Sequence, residues 1–378
     1  MPEPLKNHFG ESVPRRIAEQ IITVWPAFEA EDFVRDSLVG YGQLELMDRG
    51  RHIARALERH LPPHFPDAIS ILLQSVRESR PPFDGGSAMA PFVYLPHVSF
   101  VAQSGLEHFD QSMQALHLLT QRFTAEFSIR PFIERYPERA LALLHTWVSD
   151  PSVHVRRLVS EGTRPRLPWA GRLREFQKNP DRVIELLERL KDDPELYVRR
   201  SVANNLNDIG RDNPSVLVAV ASRWMENAST ERRALVRHAL RTLVKAGNRD
   251  ALQILGFGGK ASVQLASASV TPQRVGRGGK VVVEFSLRST ARRVQQLLVD
   301  LRVHYVKASG TTSAKVFKLR IVGLASGEVS TFRKSLSLRD MTTRQHYPGK
   351  HIVEAIVNGA TIPIGAFTLT KSAAETGR

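Results

Sequence analysis

The sequence contains no cysteine in its 378 residues, which excludes disulfides, thiol chemistry and cysteine-ligated zinc. It also lacks any stretch of ~18 consecutive apolar residues, so no helical membrane span is expected. The opening MPEPLKNHFGESVPRR has no apolar segment of the secretory type. A cytoplasmic protein without a membrane partner is the expectation. Acidic residues are scarce in the last third, where residues 260–378 carry 6 Asp+Glu against 19 Lys+Arg. Residues 150–259 have a net charge of +6 and residues 1–149 of −4, and the chain totals +15. Such an excess points to a polyanionic partner without identifying it. At 42% hydrophobic and 24% charged the composition is that of a globular protein. The length favours two or three domains.

The pattern of apolar residues changes near residue 256. Before it the spacing is helical, as in Ile17, Ile21, Ile22, Val24 and Trp25, or Leu141, Leu144, Trp147 and Val148. After it, period-two runs at 281–287, 297–306, 315–322, 330–338 and 351–357 are separated by Gly or Ser turns, at spacings near those of a β-sandwich. The glycines of GFGGK at 256–260 mark a boundary, giving domains 1–257 and 260–378. RPPFDGGS at 80–87 interrupts the helical pattern as a loop or lid.

The helical part repeats itself. DPSVHVRRLV at 150–159 returns as DPELYVRRSV at 193–202, an offset of 43 residues, with a weaker copy, LVRHAL, at 235–240. Asp-Pro opening a helix that carries Val-Arg-Arg, followed by an antiparallel partner, is the HEAT pattern. Asp is read as the N-cap and Pro as the first helical residue. Stacked pairs of this kind form a solenoid whose concave face is the usual binding surface. Two readings stand for Arg157 and Arg200: each pairs with a neighbouring Asp, or each faces phosphates.

After the first repeat helix comes SEGTRPRLPWA at 160–170. Glu161 occupies the position of Asn204 in the next repeat, so the repeat itself does not require a carboxylate there. Prolines stiffen the segment and Trp169 offers a large flat surface at its end. Taken singly, these residues have plain alternatives. Trp169 could pack between repeats, Arg164 and Arg166 could be solvated, Asp208 could cap a turn before Gly210, and Glu126 could pair with Arg122 or Arg130 four residues away.

EFSIRPF at 126–132, the 160–170 segment and SVANNLND at 201–208 together resemble the HEAT-like-repeat DNA glycosylases of the AlkC and AlkD group, the AlkC branch most closely. The resemblance covers roughly residues 1–257. Some AlkC-like proteins also carry a C-terminal immunoglobulin-like domain, in agreement with the strands after 260. The implied fold is multidomain: an N-terminal all-α HEAT-like-repeat solenoid and a C-terminal all-β immunoglobulin-like sandwich. The implied activity is excision of cationic alkylated bases, 3-methyladenine and in the AlkC branch 3-methylcytosine, without flipping the lesion into a pocket. The implied partner is double-stranded DNA containing alkylated bases, bound by a monomer without cofactor or metal. By position, Glu161 and Asp208 would lie beside the deoxyribose, with Glu126 assisting and Trp169 packing on the sugar or lesion by a cation–π contact. Arg130, Arg157, Arg164, Arg166 and Arg200 would grip phosphates, and Arg277 and Lys280 would do so from the sandwich.

Other signals are negative. GRGGK at 276–280 lacks P-loop spacing and reads as a basic turn. His60 and His64 are separated by two prolines and belong to no HExxH, so a metal site there is not expected. The rival function is a non-catalytic HEAT adaptor, because the fold alone does not specify catalysis. An enzyme would require Glu161, Trp169 and Asp208 to converge, whereas an adaptor would not.

Overall fold

The computed structural model describes residues 5–78, 90–340 and 345–370; the interruption expected at 80–87 lies outside them. Sixteen α-helices precede eight β-strands among the described residues. None of these helices is long and apolar enough to cross a membrane. The chain divides into two compact units. One comprises the residues up to Asn213 with Ser229–Ala239, the other Pro214–Ala228 with the chain from Leu240 onward.

In the first unit the two repeat copies form the helices Val153–Gly162 and Leu196–Asp212. The helices Pro137–Trp147 and Asp181–Leu190 pack against them. The latter buries Val183, Leu186, Leu187 and Leu190, a stripe at helical spacing. The expected caps are corrected by the structure. Ser152 and Glu195 occupy the N-cap positions, while each aspartate closes a turn just ahead. Asp150 Oδ1 accepts from Ser152 N at 2.8 Å and Asp193 Oδ1 from Glu195 N at 2.9 Å, the Asx geometry that competes with capping. Arginine pairing is also displaced by one residue. Arg156, not Arg157, donates to Asp193 at 2.6 Å and so ties one repeat to the next. Arg156 and Arg199 each clamp the carbonyls of their own Asp-Pro turn. The weaker copy forms the helix Thr230–Ala239, and Arg232 in it pairs with Asp192.

The second unit contains two sheets. One has the order β1 (Val263–Thr271), β3 (Lys280–Ser289), β6 (Val329–Ser337). The other runs β2 (Arg274–Val275), β8 (Ala360–Leu369), β7 (Gly349–Val357), β4 (Gln295–Val306), β5 (Thr312–Leu324). Strand β3 alternates cleanly: Val281, Val283, Phe285 and Leu287 are buried and pack in one core with Leu301, Val303 and Phe367. Five strands fall where period-two runs were expected; β1, β2 and β8 extend the sheets. The turn at 276–280 is as expected, with Gly279 N bonded to Gly276 O at 3.1 Å and Gly278 at φ +81°. The last helix ends at Ile254 and the first strand begins at Val263, yet the compact unit begins earlier. Leu252 and Phe257 pack with Leu298 of β4, and a Cβ on Gly359 would come within 2.7 Å of Leu252. Apolar contact of this kind binds the last helices to the sandwich.

On the helix Leu95–Ser104, His97 is fully enclosed and its ring meets that of Tyr94 edge-on at 5.5 Å. Burial pushes its pKa down to about 4 from 6.5. Between those values the unfolded chain binds a proton that the folded chain refuses, so stability rises with pH across this window and is lost as pH falls through it. The shift corresponds to roughly 3 kcal/mol. His97→Phe should flatten the difference in urea midpoint between pH 6.5 and pH 4 relative to the wild-type chain, and an unchanged pH slope would remove His97 as its source.

Candidate active site

The segment after the first repeat helix is held from beneath by one arginine. Arg130 Nη1 donates to the carbonyls of Gly162 at 3.1 Å and Arg164 at 2.8 Å, and its Nη2 donates to Gly171 at 2.6 Å. At 4% exposure this guanidinium satisfies buried carbonyls rather than reaching a phosphate. That corrects its expected role. Burial lowers its pKa to about 10. Gly162 allows the approach, since a Cβ there would lie 2.7 Å from Ile129 Cγ2. Thr163 turns its hydroxyl back to Val159 O, and Asn205 of the next repeat donates to Ser160 O and Thr163 Oγ1. With these bonds the start of the loop has little freedom.

Arg164 is also corrected. It is buried, and it bridges two carboxylates from successive repeats: Nη1 to Glu161 at 2.5 Å and Nε to Asp208 at 2.8 Å. Ser201 donates to the other oxygen of Glu161 at 2.5 Å. Arg157 donates to Glu126 at 2.8 Å, lies 3.8 Å from Glu161, and stacks on the Tyr197 ring at 4.9 Å. Thr124 adds a hydrogen bond to Glu126 at 2.7 Å. Burial alone would lower the pKa of Arg157 and Arg164, but their carboxylate partners outweigh it and raise both. Each stays charged. Arg166 forms a two-pronged pair with Asp212, so it too is engaged rather than simply solvated. The expectation that these arginines grip phosphates is therefore not how they are used in this structure. Arg200 and Lys280 are exposed, and Arg277 pairs with Asp340 at 2.9 Å.

These groups border a cavity of about 530 Å³ lined by Glu126, Arg157, Glu161, Arg164, Trp169 and Tyr197, with Phe92, Phe127 and His154 among its other walls. Trp169 is 67% exposed and sits at φ +65°, a left-handed conformation costly for a bulky residue. Asp208, only 3% exposed, does not line the cavity and is joined to it through Arg164. The structure thus brings Glu126, Glu161 and Trp169 to one cavity; of the three residues whose convergence was expected of an enzyme, Glu161 and Trp169 meet there and Asp208 does not. No cluster of metal-ligating side chains occurs among the described residues. His60 pairs with Asp36 and His64 with Asp67 instead.

The chain is 38% identical to the alkylpurine DNA glycosylase AlkC of Pseudomonas fluorescens, solved bound to DNA containing an abasic site analogue. That match covers 97% of this chain and all of the other, with a TM-score of 0.91. The chain belongs to the AlkC family. It is also 35% identical to the uncharacterized protein YhaZ of Bacillus subtilis, over 94% of this chain and 96% of that protein. Residues 264–371 match the family described as "Uncharacterised protein YhaZ, C-terminal Ig-like domain". The AlkC fold, helical repeats followed by an immunoglobulin-like sandwich, is the one described above.

Three residues were not expected from the sequence: Tyr197, which lines the cavity, Ser201, which bonds Glu161, and Asp212, which pairs with Arg166. Tyr197 carried a usable signal: it stands 43 residues after His154, at the same repeat position, and the two rings meet edge-on at 5.9 Å. The Arg130 assignment is open to a direct check. Arg130→Met removes three bonds to carbonyls and leaves them buried, each worth about 1–3 kcal/mol. Chemical denaturation should show a loss of at least ~2 kcal/mol, whereas Arg200→Ala should leave the midpoint in place. Equal stability of the two variants would contradict the buried role.

Proposed function

We propose that the chain is a monofunctional DNA glycosylase of base excision repair, hydrolysing the N-glycosidic bond of cationic alkylated bases. The observation that carries this reading is the meeting of Glu126, Glu161 and Trp169 at one aromatic-walled cavity. A non-catalytic adaptor has no need of such a meeting. N-alkylation makes the base a cation, so it leaves readily: the bond electrons pass to the base, which departs neutral, and positive charge develops on the sugar. A glycosylase then needs fixed negative charge beside the deoxyribose and a positioned water, with no prior protonation of the leaving group. Glu126 and Glu161 are placed to supply the charge. Arg157 and Arg164 hold them in orientation, and Asp208 acts through Arg164. Trp169, exposed at the cavity, offers an indole face to a cationic base or sugar. The open cavity suits a lesion attacked in place, and 3-methyladenine with 3-methylcytosine are the expected substrates.

Duplex DNA containing such bases is the proposed partner of a monomer. The sandwich carries most of the net charge, and Lys280, with Arg277 in the same turn, is proposed to contact the DNA backbone. Lys280→Gln should then weaken binding and reduce the salt slope by about 0.9. An unchanged slope assigns this lysine elsewhere.

Single-turnover base release from 3-methyladenine DNA tests the central reading. Glu161→Gln and Asp208→Asn should each slow release at least tenfold while DNA affinity of the folded protein changes little, because amides keep an oxygen acceptor for Arg164; the thermal midpoint should fall, since a buried cation loses part of its compensating charge. Loss of one well-placed electrostatic partner typically costs about 2.7–4 kcal/mol, or roughly 10²–10³ in rate. Uracil, a neutral base that requires leaving-group assistance, should be a poor substrate. Wild-type rates in both variants, or efficient uracil excision, would sink the mechanism.

A further inference from the structure

Three arginines line the cavity that holds Glu126, Glu161 and Trp169: Arg122, Arg157 and Arg164. Two of them are committed, since Arg157 and Arg164 between them answer Glu126, Glu161 and Asp208. Arg122 forms no ion pair with a carboxylate among the described residues. Glu126, four residues on, takes Arg157 and Thr124 instead. At an adjoining cavity of about 310 Å³, which shares Met47, Phe127 and Trp169 with the first, Arg51 has Asp48 beside it at 2.7 Å. Arg122 is half-buried and held on a rigid turn. Its N–H bonds Leu119 O at 2.8 Å and Phe123 N bonds the same carbonyl at 2.9 Å, closing the chain after the helix Phe109–Leu119. Phe123 is buried and meets the Phe92 ring at 5.0 Å, while Ala125 N bonds Thr120 Oγ1 at 3.3 Å. The turn runs on to Thr124, whose hydroxyl donates to Glu126. An anion held by Arg122 is therefore held in register with a carboxylate of the same cavity.

We propose that Arg122 anchors one backbone phosphodiester of the damaged strand at the wall of this cavity. The proposal rests on the glycosylase reading of the cavity. Arg157 and Arg164 are unsuited to the task, because turning to a phosphate would strand their buried carboxylates without compensating charge. Arg122 leaves nothing behind, and its planar fork matches a phosphate with two parallel hydrogen bonds. A nucleotide with a cationic alkylated base carries both signs, the base positive and the phosphates beside its sugar negative. Arg122 takes a phosphate while the carboxylates keep to the sugar, and the short turn from Arg122 to Glu126 sets the spacing between them. Such a contact fixes register and carries no base information, so it serves every lesion alike.

The test uses the full chain and duplexes containing an abasic-site analogue, so that binding is read without base release. Neutral methylphosphonate linkages replace the phosphates of the damaged strand one at a time. With the wild type, one linkage near the lesion should weaken binding at least fivefold and lower the salt slope by about 0.9. Arg122→Gln should cause the same loss on unmodified DNA, and the penalty at that linkage should then vanish. The penalty should shrink in Arg122→Lys, which keeps the charge without the fork and carries the test if the glutamine variant fails to fold. A penalty unchanged in the variants, or losses that add at every linkage, overturns the anchor. Base release from 3-methyladenine DNA by the wild type is followed in parallel. Absence of release with the linkage-specific coupling retained overturns the glycosylase reading alone. Normal release without that coupling overturns the anchor alone.

Discussion

Arg164 is a buried cation between two buried carboxylates, and the rest of the site is arranged around that fact. A buried ion pair rarely stabilises a fold more than apolar residues of the same volume would, because desolvating the charges offsets most of their attraction. Here three charged groups are removed from water, from a loop and two successive repeats. Their orientation is then enforced by neighbours that add no charge: Ser201 on Glu161, Asn205 on Ser160 and Thr163, and the close contact allowed by Gly162. Such an arrangement is poor economy for stability but well suited to holding a carboxylate at a fixed point, as the proposed reaction would require. Water would have to rotate to answer a charge developing there, whereas a carboxylate fixed in advance would not.

The same reasoning explains which parts of the fold could be read from the sequence. The 43-residue repeat, the change of period near 256 and the 160–170 motif are local patterns, and local patterns survive in one dimension. Arginine function does not. Arg130 and Arg164 look from their spacing like phosphate ligands, but what a guanidinium faces is decided by groups 32 to 44 residues away. Position within the Val-Arg-Arg motif likewise leaves open which arginine turns to the Asp of the next repeat. The structure gives that role to Arg156 and leaves Arg157 for Glu126. Strand β8 was obscured by Pro363 and Gly365 within it, both poor strand residues. Its hairpin was nonetheless marked by Asn358-Gly359, at φ +48° and +82°, the pair that suits a two-residue turn. The compact unit begins before Gly256 because Leu252 and Phe257 face Leu298, a contact that no linker composition announces.

Trp169 shows how the parts depend on one another. Its left-handed backbone and exposed ring both cost free energy, and a loop free to relax would shed them. The loop cannot relax readily. Arg130 fixes its carbonyls at Gly162, Arg164 and Gly171, Leu173 N bonds Pro165 O, and Leu167 is buried in the core. Trp169 lies between fixed points on both sides. The indole is thereby kept at the border of two cavities instead of collapsing into either. A side chain maintained in that position at the fold's expense is poised for a flat partner.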